Sequence, residues 1–144
     1  MNNMSQAQQS SEPSEEQDIE LTSSQDILND SLLAQYEAMD EGITDDPLLP
    51  KLFSIFQKNI TDHLKKLAVA LQKHDETEVN YLIHKMLGMA HNVGALRLSD
   101  VLMILEQAET STKMRLDGHH LAILNAEYKA AEAALIQHMN SRSH

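Results

Sequence analysis

The chain has 144 residues, 42% of them hydrophobic, which is typical of one compact domain. It contains no cysteine, and this excludes a disulfide framework and a thiolate-rich metal site. The net charge is −11, and the sequence shows no concentrated basic face that would bind nucleic-acid phosphates. We find neither a signal-peptide pattern nor an apolar run long enough to cross a membrane, so we expect a soluble, cytoplasmic protein.

The charge is distributed unevenly along the chain. Residues 1–50 contain 12 Asp and Glu and no Lys or Arg, whereas the remaining 94 residues contain 10 acidic and 11 basic side chains. Residues 1–22 are rich in Ser, Gln, Asn and Glu and have few apolar side chains to bury. We therefore expect a disordered acidic tail at 1–22, followed by a folded domain at 23–144 with its core at 47–140.

A first amphipathic helix is predicted directly after this tail. Ser23 or Ser24 is a suitable N-cap, Asp26 suits the positive end of the helix, and Gly42 marks its end. The apolar positions of this helix are Leu28, Leu32, Tyr36 and Met39. We expect it to pack on the domain as an additional helix.

A long second helix and a shorter third helix are predicted next. Asp46-Pro47 is a helix-start signal, because a capping side chain precedes a proline at the first helical position. The second helix reaches about Lys73, and Asp75-Glu76 begin the third. The apolar positions of the second helix are Leu49, Leu52, Phe53, Phe56, Ile60, Leu64, Leu67 and Leu71.

Two further helices complete the predicted fold. The fourth follows Gly94 and runs to about Thr110, and the fifth follows the polar segment 109–113 and the turn at Asp117-Gly118. Their apolar positions are Leu98, Val101, Leu102, Leu105 and Ala108, then Leu121, Leu124, Tyr128, Ala131, Leu135 and Met139. The predicted class is all-α, an antiparallel four-helix bundle with an additional N-terminal helix.

His84 lies on the polar face of the third predicted helix. At ~100° per residue, the apolar side chains of this helix fall in one sector and His84 falls outside it. The apolar sector contains Val79, Leu82, Ile83, Met86, Leu87, Met89, Ala90 and Val93. The residues that share the polar face with His84 are Asn80, Tyr81, Lys85, Gly88, His91 and Asn92.

Two glycines follow this histidine. Gly88 lies within the helix, where a glycine costs about 0.5–1 kcal/mol relative to alanine. Side chains lean toward the helix N-terminus, so we expect a side chain at position 88 to lie against the imidazole of His84. Because glycine has no side chain, we expect the imidazole to be open to an approaching partner. Gly94 stands where a left-handed C-cap is expected.

This arrangement resembles the histidine-containing phosphotransfer (HPt) domain, whose motif is His-x-x-Lys-Gly followed by a second glycine inside a four-helix bundle. The resemblance covers roughly Leu48 to Glu109. The chain departs from the motif at Leu87, where the family usually has lysine. The neighbouring Lys85 is ~100° from His84 around the helix and is not an equivalent replacement.

The resemblance implies that His84 accepts a phosphoryl group from a receiver-domain aspartate and passes it to another receiver domain, in a phosphorelay that includes a hybrid histidine kinase. Neutral imidazole is a suitable nucleophile near neutral pH. The receiver domain would bring the Mg²⁺, so no cofactor or metal site of the chain's own is implied. We expect Lys85, Gly88 and His91 in the phosphoryl environment. We expect the partner to dock on Asn80, Tyr81, Leu87 and Asn92.

Several alternatives stay open at this point. Leu87 favours a degenerate bundle that binds a receiver domain or a kinase without being phosphorylated, and the stripe at 121–139 would suit an obligate oligomer in place of the expected monomer. An alternative position for the first helix is over His84, where the helix would block access to the histidine and be autoinhibitory. The sequence has no glycine-rich phosphate loop, so we do not expect a kinase or another enzyme. We expect the remaining histidines on the surface and no zinc site among them, namely His63, His74, His119, His120 and His138.

Overall fold

The computed structural model describes residues 26–40, 46–111 and 116–142, and every regular element within them is an α-helix. The five helices are α1 (Asp30–Asp40), α2 (Leu48–Gln72), α3 (Glu76–Val93), α4 (Leu96–Ser111) and α5 (Gly118–Arg142). The all-α prediction is therefore confirmed. The predicted disordered tail, the predicted caps at 23 and 24, and the predicted stop at 42 lie outside the described residues.

Helices α2 to α5 form the predicted four-helix bundle. Helix α2 packs against α3 and α5, and α4 packs against the same two helices, which closes the ring around one core. Apolar side chains spaced three and four residues apart share one face of a helix, so each helix contributes a stripe to this core. The largest fully buried side chains of these four helices are Ile60, Leu67, Leu82, Ile83, Met86, Leu98, Leu102, Leu105, Leu124 and Leu135.

The start of α2 differs from the prediction at Asp46. The helix begins at Leu48 with Pro47 in the N-cap position, and no side chain caps it from there. The Asp46 carboxylate instead pairs with Lys51 at 2.6 Å. The N–H of Leu48 donates to Oδ2 of Asp40, at the end of α1, over 2.8 Å. Asp46 is therefore not the cap, because the proline occupies the cap position and the Asp40 carboxylate accepts the hydrogen bond from the Leu48 N–H.

Both ends of α3 agree with the sequence pattern. Asp75 is the N-cap, and its side chain accepts the backbone N–H of Glu78 at 3.2 Å. Gly94 is the C-cap with φ of 78°, a left-handed conformation that glycine adopts without steric cost. The turn at Gly94 and Ala95 then reverses the chain into α4. This hairpin places α3 and α4 side by side.

Helix α1 begins later than predicted. It starts at Asp30, where the Asn29 side chain accepts the backbone N–H of Leu32 at 3.1 Å, so Asn29 takes the capping role assigned to Ser23 or Ser24. Leu33 is its fully buried side chain, whereas Met39, predicted on the apolar face, is 58% exposed. The buried face of α1 is centred on Leu33, and Met39, six residues later, lies ~120° from it around the helix, which places Met39 outside that face.

Helix α1 packs on the bundle at the α3–α4 turn. The backbone N–H of Asn29 donates to the Gly94 carbonyl at 2.8 Å, and the Tyr36 hydroxyl donates to the Asn92 carbonyl at 2.6 Å. The Leu33 side chain lies so close to Gly94 that a Cβ there would be 3.0 Å from it. The additional-helix prediction is therefore confirmed, and α1 does not take the alternative position over His84.

Three of the histidines predicted on the surface are partly or fully buried. His120 is 9% exposed, and its Nδ1 lies 3.0 Å from Oδ1 of Asp117. The side chain of His138 is 17% exposed, and its Nε2 lies 2.7 Å from Oε2 of Glu37, which joins α5 to α1. His63 is half-buried. The prediction was wrong for these rings because polar partners offset the cost of burying them.

Candidate functional site

His84 lies on α3, on the face opposite the core. Its neighbour Ile83 is completely buried, whereas 72% of the His84 side chain is exposed. The helical period of 3.6 residues separates these two positions by ~100°, which is enough to turn one side chain inward and the next outward. The structure therefore presents an accessible imidazole on a helix that the core holds in place.

The His84 ring is held by a carboxylate from the neighbouring helix. Nδ1 of His84 lies 2.8 Å from Oε2 of Glu106 on α4, and the Glu106 side chain is 28% exposed. An ionised carboxylate can only accept a hydrogen bond, so Nδ1 is the donor in this contact. A neutral imidazole carries one proton, so with that proton on Nδ1 the Nε2 on the other side of the ring keeps its lone pair and is the nitrogen available to react.

Sequence reasoning missed Glu106. The signal that would have found it is the register of the α3–α4 hairpin. His84 and Glu106 lie at nearly equal sequence distances on either side of the turn at Gly94 and Ala95, so antiparallel packing brings them level. The helical pattern of α4 alone only marks Glu106 as a polar position.

Gly88 faces open space. A Cβ built at this position meets no atom within 4 Å, so the expectation that it would lie against the imidazole is wrong. The reason is that the His84 ring is turned sideways toward Glu106 on α4. No packing within the described part of the chain requires the glycine. The lack of a side chain nevertheless leaves the helix surface one turn after His84 flat.

Tyr81 and Lys85 form an exposed pair beside His84. Tyr81 is 54% exposed, and Nζ of Lys85 lies 5.8 Å from the centre of its ring. Residues four apart in a helix are neighbours, and an ammonium over an aromatic face is a favourable contact of about 0.5–1 kcal/mol at exposed sites. This pair forms an aromatic and cationic edge of the surface around His84.

The other predicted neighbours are divided between the surface and the interior. His91 and Asn92 are exposed. Leu87 is half-buried and packs on the core. Asn80 is also half-buried, and within the described part of the chain its buried Oδ1 has no hydrogen-bond partner. Asn80 and Leu87 thus offer a partner less surface than the sequence pattern suggested.

No group of three or more His, Cys, Asp or Glu side chains that could hold a metal ion occurs among the described residues. Within the same part of the chain, no helix is both long and apolar enough to cross a membrane.

An antiparallel bundle that presents one oriented, accessible histidine on a helix face defines the structural class of this protein. The family model described as Hpt domain matches residues 51–134, more than half of the chain, so the chain belongs to the Hpt domain family. A search of curated proteins gave no match, and neither did a search of solved structures. Family membership gives the protein a phosphotransfer-related role in two-component signalling. Hpt domains are phosphocarriers that act with receiver domains and kinases.

Proposed function

We propose that this protein is a phosphorelay phosphocarrier in which His84 accepts a phosphoryl group from one receiver-domain aspartate and donates it to another. The observation that supports this proposal is that the His84 ring is accessible and is held at one nitrogen. His84 is 72% exposed, and Glu106 occupies Nδ1 at 2.8 Å. The arrangement supports Nε2 as the atom that is phosphorylated.

The transfer step needs little chemistry from this chain. The Nε2 lone pair attacks the phosphorus of the aspartyl phosphate, the bond from phosphorus to the carboxyl oxygen breaks, and that electron pair leaves on the aspartate. The donation step is the reverse. Phosphoryl transfer depends mainly on in-line positioning and charge neutralisation. A ring anchored at one nitrogen on a packed helix supplies the positioning, and the receiver domain would supply the Mg²⁺.

The docking surface we propose is the exposed face of α3. Gly88 lets a partner backbone approach this face, because its missing side chain leaves space within 4 Å. Tyr81 and Lys85 form one edge of the surface, and His91 and Asn92 continue it toward the α3–α4 turn. Leu87 and Asn80 contribute their exposed parts. A monomer and a cytoplasmic location stay predictions from the sequence.

The experiment that tests the proposal is phosphotransfer from a panel of phosphorylated receiver domains to the full chain. We expect an acid-labile, base-stable label on the wild type and none on His84→Gln, with circular dichroism showing that the variant is folded. His119→Gln is the matched control, since it removes a histidine that is also exposed but lies on a different helix, α5. A folded His84→Gln that is labelled as well as the wild type would refute His84 as the acceptor.

Leu87 favours the competing function, a bundle that binds a receiver domain or a kinase without being phosphorylated. Leucine gives a phosphoryl group no charge, and here the side chain packs partly on the core. A receiver domain that binds the chain tightly but never labels it would support this alternative. If label is found, Leu87→Lys is the next variant, and we expect it to raise the amount of phosphohistidine. His91→Gln tests whether His91 takes part in place of the lysine.

A further inference from the structure

Helix α2 differs from the other helices in its charge. It contains four lysines and a single acidic residue, Asp62, and Lys73 follows directly after its end. Among the five described helices it is the only one with a positive net charge when histidine is counted as neutral. Helix α5 is neutral, and α1, α3 and α4 are negative. A negatively charged segment is therefore attracted to α2 and to none of the other four.

The lysines of α2 form one stripe on its outer face, opposite the core. Positions 51, 58 and 65 are seven residues apart, and two helical turns return each to nearly the same direction. Two branched apolar side chains lie among the lysines, with Ile55 58% and Val69 47% exposed. All members of this lysine stripe are exposed, namely Lys51, Ile55, Lys58, Asp62, Lys65, Lys66, Val69 and Lys73.

Lys58 and Lys65 have no partner of opposite charge. Neither forms an ion pair within the described part of the chain, whereas Lys66 pairs with Asp62 at 3.1 Å. Lys65 also lines the groove between α2 and α5, and Lys129 of α5 lines the same groove. These ammonium groups are available to bind carboxylates from another segment.

A segment with the matching charge is the acidic leader of this chain, residues 1–25, which precedes the described residues. It has no basic side chain and five acidic ones, namely Glu12, Glu15, Glu16, Asp18 and Glu20. The described chain begins at Asp26 beside the α3–α4 turn, where the Ile27 carbonyl accepts the N–H of Arg97 at 3.3 Å. The two helices at this point, α1 and α4, are both negative, so they do not attract an acidic segment.

We propose that the acidic leader docks on the lysine stripe of its own molecule, with the carboxylates at 12–16 against Lys58 and Lys65. This interaction does not depend on the proposed phosphocarrier function. His84 contacts Glu106 on α4, so a leader on the outer face of α2 leaves the imidazole accessible.

Helix α1 shows how far the leader must reach. Its first end lies at the α3–α4 turn, where the N–H of Asn29 donates to the Gly94 carbonyl, and its last residue, Asp40, accepts the N–H of Leu48 at the start of α2. The 11 residues of α1 span ~16 Å at 1.5 Å per residue.

The leader is long enough to cover this distance. Lys58 and Lys65 lie ~15 and ~25 Å along α2 from its first residue, which places them about 25–35 Å from Asp26. The 14 residues from Glu12 to Asp26 extend over up to ~45 Å, and the 10 residues from Glu16 over up to ~33 Å. The carboxylates at 12–16 therefore reach the stripe, and Glu20 does not need to.

The covalent connection compensates for the weakness of each contact. An exposed ion pair is weak by itself, but several carboxylates on one tether meet the lysines at an effective concentration of about millimolar. Salt screens such pairs, since the Debye length falls from ~10 Å at 0.1 M to ~3 Å at 1 M. We therefore expect the leader to dock at low salt and to be released at about 1 M salt.

A nitroxide in the leader tests this proposal in the full chain by NMR. The sequence contains no cysteine, so Ser14→Cys provides a single attachment site between the leader carboxylates. At low salt we expect the amide signals of the lysine stripe to fall at least ~2-fold and to recover at ~1 M salt, while signals around Gln107 on α4 stay unchanged. Stripe signals that do not fall, or that fall equally at both salt concentrations, would overturn the proposal.

Charge variants test which lysines hold the leader. Lys58→Glu and Lys65→Glu each reverse one charge of the stripe, and Lys85→Glu is the matched control because it reverses an exposed lysine on α3. We expect the loss of stripe signal to become smaller in the first two variants and to stay as in the parent in Lys85→Glu. Circular dichroism and a urea midpoint show that each variant is folded. A folded Lys58→Glu and Lys65→Glu with the full signal loss would overturn the proposal, and so would a loss abolished by Lys85→Glu alone.

Two further samples distinguish the other possible occupants of the stripe. In a mixture of isotope-labelled chain without the nitroxide and unlabelled chain with it, only contacts between two molecules reduce the signals, and we expect no reduction. A reduction as large as in the single chain would assign the stripe to a second copy and overturn docking within one molecule. Vesicles of phosphatidylserine and phosphatidylcholine that shift the stripe signals, in a chain where the nitroxide does not reduce them, would assign the stripe to a lipid surface and overturn the proposal.

Discussion

Replacing Gly88 with alanine should make the protein more stable and a poorer phosphoryl acceptor. The substitution has two effects that can be measured separately, one on the stability of the fold and one on phosphotransfer. Here they have opposite signs, because the glycine lies in the middle of α3 and a Cβ added there meets no atom within 4 Å. The glycine therefore costs helix stability without a packing benefit in the described part of the chain.

The magnitude of each effect follows from this geometry. Alanine in place of a mid-helix glycine stabilises a helix by about 0.5–1 kcal/mol, and the open space means that no steric penalty reduces this gain. The methyl group lies on the exposed face one turn after His84, where we propose that the partner docks. Overpacking a fitted contact costs about 1 kcal/mol or more, which corresponds to a ~5-fold weaker complex. Gly88→Gln should weaken it further.

Two assays check this prediction. Urea unfolding should give a higher midpoint for Gly88→Ala, and titration with a receiver domain should give a higher Kd, with slower transfer to His84. Gly118→Ala is the matched control, since its added Cβ also meets no atom within 4 Å but lies at the start of α5. Gly88→Ala with wild-type receiver affinity and transfer rate would refute docking at this face. A lower urea midpoint would refute the reasoning about the helix.

Two further predictions concern helix ends. Gly94→Ala should lower the free energy of unfolding by about 1–2 kcal/mol in urea, because φ is 78° and the Cβ would lie 3.0 Å from Leu33; an unchanged midpoint would contradict this. At Asp117, desolvation acts to raise the pKa of the carboxyl. The backbone N–H groups of His120 and His119 and the His120 ring outweigh it and hold this pKa below its usual value. A lowered pKa means that the carboxylate stabilises the fold above its unfolded pKa and that this contribution is lost as pH falls through the folded pKa. The stability difference between wild type and Asp117→Asn should therefore be present at neutral pH and be lost as the pH falls through the folded pKa of Asp117. A difference that does not change with pH would refute this.

The features that the sequence predicted well are those that depend on neighbouring residues. Asp75-Glu76 were predicted to begin α3 and Gly94 to be its C-cap. Asp75 and Gly94 do cap the two ends of the helix, and a cap acts on groups within one turn of its own helix. The exposure of His84 next to the buried Ile83 follows from the helical period in the same way.

The errors arose where a distant part of the chain took part. Asp46 was assigned as the cap of α2, but Asp40 from α1 accepts the Leu48 N–H. His138 was expected on the surface, but Glu37 from α1 forms a hydrogen bond with it at 2.7 Å. A position at the edge of a helix face is buried or exposed according to what packs against it. A helical pattern contains no information about that partner.

For this protein the amino-acid sequence alone determined the four amphipathic stripes, the start of α3 at Asp75-Glu76, its C-cap at Gly94 and the outward direction of His84. These features follow from the helical period of 3.6 residues and from contacts within one turn. Both can be read from the sequence, because they involve only residues close together in the chain. Only the tertiary structure decided which group holds the His84 ring and that space lies open at Gly88. Both depend on how α3 and α4 align across the turn at Gly94 and Ala95, and that alignment is set by the packing of the whole core.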